Sequence, residues 1–411
     1  MYLYYYTLHL KTTAIKISAN IVNKIDIYKF QTKFSDYSLR KTKRLAFLTK
    51  KTIKIVPLQI HEFDRIIMND IINIKNRINW IDWAKAIAIF FVVYGHIPEE
   101  EGSYFHNYII LFHMPLFFFI SGYLTKVEYF STSTLKKYWH TLVIPYLFYN
   151  IIFYPYWVVK HLIKFPNAEW FDYVKPFGGM ILFQIETPIS LYLNGVTWFI
   201  AALLIMKIIL SVCNKCKYGF LYISIIVLLC VISYIVNEQY RFTTGLTTVG
   251  FMKCFPFFII GFLCKQKKWI TPKTHQRDII ICFGGIITSL TIYSIERGTD
   301  GMLSYGIYFW TTCITAIIGV LFLCKLLDNI ELDVIKNISL GTIVIMGLHW
   351  ILIGSTNVII SKITHVDNII YPLWGTILLA SIFIAILYPI IVLFKKRYPF
   401  LLGKWTATTK S

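Results

Sequence analysis

An acid, a base and two histidines stand inside two consecutive apolar stretches of this chain. Arg77-Ile-Asn-Trp-Ile-Asp82-Trp-Ala-Lys85 leads into an apolar run ending Gly95-His96. Phe112-His113-Met-Pro-Leu-Phe-Phe-Phe-Ile-Ser121-Gly-Tyr-Leu124 follows. Ionisable side chains are costly in hydrocarbon and by default mark function there. Imidazole exchanges protons near neutral pH, so this set could perform proton transfer beside a stabilised charge.

The spacing gives the set a direction. On a helix, Lys85 and His96 are three turns apart, within about 20° of one face and separated by roughly 17 Å along the axis. Asp82 precedes Lys85 by one turn, and Ile89 and Val92 fill the stripe between. A purely structural account pairs Asp82 with Lys85 at the interface, lets Lys85 snorkel and uses His96 to end the helix. The second stretch favours function. His113 falls at mid-depth beside Pro115, which removes a backbone donor, and such irregularity is tolerated only where protein or a polar cavity satisfies the freed carbonyl. Ser121-Gly122, two turns on, are small enough for close approach of a helix or ligand.

Later residues add candidates. Trp198, in Val-Thr-Trp-Phe-Ile, opens an apolar run, either as an interfacial anchor or as a substrate contact. Lys207, Lys253 and His349 fall inside apolar runs. Lys207 can snorkel, Lys253 is placed to face an anionic ligand, and His349 has no neighbouring charge to account for it. The eight cysteines are scattered. They imply no disulfide framework, and Cys213 and Cys216, a lone Cys-x-x-Cys, make a poor metal or redox motif.

The elements that must position these residues are membrane spans. In 411 residues, 56% are hydrophobic and 15% charged, with a formal net charge of +20. That is too apolar for an ordinary soluble chain. The basic residues lie between apolar runs without a repeated basic motif, so no nucleic-acid partner is expected. Ten candidate spans follow: 81–98, 105–124, 139–159, 196–213, 218–237, 248–264, 278–295, 303–325, 338–360 and 369–394. The fold class is therefore all-α, a polytopic membrane protein of about ten transmembrane helices in the lipid bilayer. With the N-terminus inside, seventeen Lys and Arg of the loops and tail are cytoplasmic. Six are outside: Lys160, Lys164, Lys175, Arg241, Arg297 and Lys362. Both termini are then expected in the cytoplasm. Residues 1–76 hold fourteen Lys or Arg against five Asp or Glu and no run long enough to span. They read as a basic extension, and Met68 as an alternative start. The spans occupy 77–395, and 396–411 form a short basic tail. The outer loop 160–195, through Phe177 to Glu186, Pro188 and Asn194, is expected to form a short re-entrant or surface helix covering the outer mouth. No internal repeat is evident.

In order along the chain, Asp82-x-x-Lys85, His96, His113-Met-Pro-Leu-Phe-Phe with Ser121-Gly-Tyr-Leu, Trp198-Phe, Pro256-Phe-Phe-Ile-Ile-Gly261 and Ile338-Ser-Leu-Gly through Leu348-His349 resemble acyltransferase family 3. The Asp-x-x-Lys pattern is similar to its fucose 4-O-acetylase-like branch, although the basic position is often Arg in the family. Residues 1–76 have no counterpart. The resemblance implies a membrane O-acyltransferase moving an acyl group, foremost acetyl from acetyl-CoA, to a hydroxyl of a surface glycan or lipid-linked sugar. It needs no metal, and the expected location is the bacterial cytoplasmic membrane.

Such chemistry requires a base, an oxyanion donor and positive charge for a phosphate-rich carrier. On this reading His96 is the general base. Lys85 holds CoA or stabilises charge, and Asp82 orients Lys85. His113 is a second acid or base or the oxyanion donor, while Ser121, Trp198, Lys253 and His349 contact substrate or cofactor. Direct transfer and a covalent acyl-histidine both remain open. The rival is a transporter or exporter of glycan precursors that uses the same charges as a relay, but it calls for paired broken helices in related halves, which the sequence lacks.

Overall fold

The computed structural model describes residues 77–100, 103–183, 193–240, 245–270, 274–297 and 304–404. The extension 1–76 with Met68, and Glu186 and Pro188 of the outer loop, lie outside the described residues. Among those described there is no strand, and one isolated bridge joins Glu99 to Tyr371.

Nine helical segments among the described residues are long and apolar enough to cross a bilayer. They are α2 (Tyr104–Leu124); the run of α3 (Thr132–Tyr138), a π-helical stretch Trp139–Val143 and α4 (Ile144–Lys164); α6 (Trp198–Lys215, entered by a 3-10 turn Gly195–Thr197); α7 (Gly219–Tyr240); α8 (Leu246–Gln266); α9 (His275–Glu296); α10 (Phe309–Leu326); α12 (Thr342–Thr364); and α13 (Leu373–Arg397). Two shorter helices, α5 (Trp170–Ile181) and α11 (Asp333–Leu340), complete the set with α1 (Asn79–His96). The protein is an all-α polytopic membrane protein.

The first expected span, 81–98, is α1. It holds Asp82 and Lys85 yet is buried along most of its length, from Trp80 and Ile81 to Val93 and Tyr94. It packs on α2, α10, α11, α12 and α13, so protein rather than lipid surrounds its charges. That arrangement is the usual condition for ionisable groups at membrane depth. Outer helices show the converse: Leu378, Ile382 and Ile386, four residues apart on α13, are exposed in one stripe.

The expected span 338–360 is interrupted. Gly341 separates α11 from α12, its N–H bonding to Asn337 O and Ile338 O, and a Cβ there would strike Ile391 of α13. The third span is longer than expected, because α3 and the π-helical stretch run continuously into α4. Close crossings rest on small residues. Gly122 of α2 leaves no room for a side chain against Phe258 O, and Gly261 of α8 none against Phe119 O, so these helices meet backbone to backbone. The carbonyl that Pro115 frees, Leu111 O, accepts from Cys313 Sγ of α10 at 3.6 Å.

Candidate active site

His96 is the last residue of α1, where the chain leaves the helix at an extended Ile97. The following loop is pinned on both sides. Tyr94 OH and Ser103 Oγ donate to the Glu99 carboxylate at 2.7 and 2.6 Å. Tyr371 N donates to Pro98 O at 3.0 Å, and its hydroxyl donates to Asn357 Oδ1 at 2.7 Å. The half-buried His96 ring is thus held at a fixed helix end.

Two further histidines converge there. His349 of α12 is fully buried, and its ring centroid lies 5.2 Å from that of His96. Its Nδ1 lies 2.8 Å from Ile345 O. A carbonyl only accepts, so Nδ1 carries hydrogen and Nε2 of the neutral ring is an acceptor. That Nε2 is buried with no hydrogen-bond partner among the described residues. The same logic applies to His113, whose Nδ1 lies 3.1 and 2.9 Å from Ile109 O and Ile110 O. The His113 ring faces the bare backbone of Gly95, with Cε1 4.0 Å from where a Cβ would stand. The spans therefore bring together three histidines from α1, α2 and α12.

A cavity of about 430 Å³ opens beside them. His96, Trp350, Tyr156, Asn357, Lys160 and His161 are among its walls. Trp350 meets His96 edge to face at 5.6 Å. Behind it, Asn194 Nδ2 donates to Gly347 O at 3.0 Å, Thr197 Oγ1 to Asn194 O at 2.7 Å, and Asn150 Nδ2 to Thr197 Oγ1 at 3.0 Å. All three side chains are fully buried. This network ties α4, α6 and α12 together and fixes the height of His349 two residues beyond Gly347.

Family comparison fits this arrangement. The model of a family described as an acyltransferase domain matches residues 78–402. The chain belongs to acyltransferase family 3. It is 26% identical over 239 residues to nodulation protein NolL of Mesorhizobium japonicum, a match covering 51% of this chain and 57% of that protein. The chain thus spans little more than half the length of that relative. No solved structure matches it. The protein is a multi-pass membrane member of that family.

The remaining sequence candidates each have contacts of their own. Asp82 Oδ1 accepts from Ser339 Oγ of α11 at 2.6 Å, and Lys85 donates to Ser339 O, at the opposite end of α1 from His96. Ser121 Oγ donates back along its own helix to Phe117 O at 2.9 Å. The Trp198 ring fills the space above Gly250 and lies 5.8 Å from Phe118. Lys253 stands 5.0 Å over the Phe309 ring. Cys213 and Cys216 are free thiols, and no group of three His, Cys, Asp or Glu among the described residues is placed to share a metal. The helix expected within residues 160–195 is α5. It packs on α4, Phe177 lying 4.7 Å from Tyr154 and Tyr154 OH donating to Tyr173 O at 3.0 Å.

Sequence reasoning missed Asn150, Thr197, Trp350, Tyr156 and His161. Trp350 adjoins His349, but a tryptophan near a span end reads as an anchor. The α4 residues carried a usable signal, Trp157-x-x-Lys160-His161-x-x-Lys164, one helical face with mixed aromatic and basic character.

Proposed function

We propose that this acyltransferase transfers an acyl group, acetyl foremost, from acyl-CoA to a hydroxyl of a cell-surface or lipid-linked sugar in the bacterial cytoplasmic membrane, with both termini cytoplasmic. His96 is the general base. The observation carrying this reading is the placement of the half-buried His96 ring on the cavity wall, 5.2 Å from the fully buried His349. A base must reach its substrate while its orientation is held, and His96 meets both conditions.

In the reaction His96 takes the proton of the sugar hydroxyl as its oxygen attacks the thioester carbonyl. The carbon–sulfur bond then breaks, and the CoA thiolate recovers the proton. Neutral His113 and His349 each present a lone pair at Nε2, so either accepts a proton, and either donates to an oxyanion only after gaining one. Lys85 holds the charged part of the donor, and Asp82 orients it through their common partner Ser339. Lys85 and His96 are separated by roughly 17 Å of helix, a span that an extended pantetheine arm covers. A phosphate at Lys85 would thus bring the thioester toward His96.

Membranes incubated with labelled acetyl-CoA test the reading. Label should enter glycan in the wild type and be absent in His96→Ala at equal membrane abundance. Full labelling by His96→Ala would overturn the assignment of the base, and a wild type that leaves every glycan unlabelled would overturn the acceptor class.

A further inference from the structure

The cavity beside His96 has a second chemical character that general base catalysis does not use. Lys160, His161 and Lys164 open into it from the last turns of α4, and no Asp or Glu lines it among the described residues. Lysines near a helix C-terminus complement the backbone dipole, which accounts for Lys164. It does not account for three basic side chains turned into one cavity. His161 makes the point sharper. Its ring stacks on Trp157 at 4.6 Å and 14°, while Nε2 is buried without a hydrogen-bond partner among the described residues. Buried polar atoms of folded proteins are normally satisfied, so an orphan on a cavity wall points to a ligand. Elsewhere at this end of the bundle Lys175 is paired with Asp172 at 2.6 Å; Lys164 lies 5.4 Å over the Phe165 ring, and no ion pair joins Lys160 or Lys164 to a carboxylate among the described residues.

The other walls suit a sugar. Trp350, Trp157, Tyr156 and Phe153 give flat apolar faces, and Asn357 gives a polar edge. A volume of about 430 Å³ lies in the range of small-molecule sites and admits a sugar ring with a charged substituent.

We propose that the acceptor carries a phosphate next to the sugar that is acylated, and that Lys160, His161 and Lys164 bind this phosphate while the ring lies between it and His96. Lysine recognises phosphate as a point charge. The phosphate belongs either to a lipid-linked sugar, whose headgroup would lie at the depth of this helix end, or to a phosphate-bearing soluble glycan. This inference rests on the sugar-acceptor reading and names its substrate class.

The test uses the full chain in lipid nanodiscs with three acceptors: a polyprenyl diphosphate-linked N-acetylglucosamine, glucose 1-phosphate and neutral octyl glucoside. Lys160→Ala/Lys164→Ala is compared with Lys160→Arg/Lys164→Arg. Binding of each acceptor is read from tryptophan fluorescence, and turnover is read with labelled acetyl-CoA. The expected result is at least tenfold weaker binding and a tenfold higher KM for phosphate-bearing acceptors in the Ala variant, with rescue by Arg. The KM for acetyl-CoA and the values for octyl glucoside should not change. Preference for the diphosphate lipid over glucose 1-phosphate assigns the phosphate to a lipid, and equal use assigns it to a soluble glycan. Wild-type preference for octyl glucoside, or an Ala variant that binds phosphate acceptors normally, overturns the inference. If phosphate acceptors bind with this lysine dependence but are not acylated, the sugar-acceptor reading fails while the anion site stands.

Discussion

The two ends of α1 treat their polar residues differently. At the Lys85 end they are joined to protein: Asp82 and Lys85 both engage Ser339, Asn79 Nδ2 donates to Ile330 O at 3.0 Å, and Trp83 Nε1 donates to the same carbonyl at 2.9 Å. At the His96 end, His349 Nε2 and His161 Nε2 are buried without hydrogen-bond partners among the described residues, and both flank the space around His96. Asn79 Oδ1 at the Lys85 end is likewise buried without a hydrogen-bond partner among the described residues, but the other groups named there are engaged by protein. Such clusters hold helices in register, whereas unsatisfied polar atoms beside a cavity are held ready for something that arrives. One helix thus carries an anchored end and an open end.

The largest expected effect breaks the open end. His96→Ala should lower kcat by about 10²–10⁴-fold, the range for loss of a general base, with little change in the KM for acyl-CoA. The next breaks the anchored end. Lys85→Ala should raise the KM for acyl-CoA by about one to two orders of magnitude, as expected for a lost hydrogen bond to charge, and leave kcat closer to wild type. Steady-state kinetics with labelled acetyl-CoA separate the two. If both variants lost kcat alone, the ends would not have different roles.

Much of this contrast was legible in sequence, for specific reasons. The eleven-residue spacing placed Lys85 and His96 at opposite ends of one face, because an α-helix fixes that geometry without reference to its neighbours. Pro115 called for a partner for its freed carbonyl, and Cys313 supplies one. What could not be read was convergence between distant segments. His96 and His349 are 253 positions apart by their numbers, and only the packing of α12 on α1 brings the rings to 5.2 Å. Likewise Asn150, Thr197 and Asn194 are ordinary polar residues until α4, α6 and α12 cross. The break at Gly341 was missed because 338–360 carries no Asp, Glu, Lys or Arg, and hydropathy does not report where a helix ends.

A smaller change sharpens the open end without touching a charge. A Cβ on Gly354 would overlap the Tyr156 hydroxyl, and both residues line the cavity. Gly354→Ala should push Tyr156 into the cavity and raise the KM for the acceptor several-fold while the KM for acyl-CoA stays constant. An unchanged acceptor KM would mean that the cavity is not the acceptor site.

The smallest expected effect concerns pH at the anchored end. Glu128 lies between α2 and α3, outside the spans, where it accepts from Lys137 and, at 2.8 Å, from Tyr138 OH. Burial alone would raise its pKa, but the hydrogen bonds from Lys137 and Tyr138 and the nearby positive charge outweigh burial and hold it below the usual carboxylate value. The sign follows from linkage. A carboxylate depressed in the fold adds stability above its unfolded pKa, and this is lost as pH falls through the folded value. Because the pair is partly exposed, the contribution should be no more than about 1 kcal/mol. Limited proteolysis of the 125–131 loop should therefore accelerate as pH drops through the carboxylate range. Glu128→Gln should cleave faster at neutral pH and lose that dependence. The acceleration should also leave the acceptor KM of surviving enzyme unchanged, because Glu128 loosens the Lys85 end of the bundle and not the end that opens beside His96.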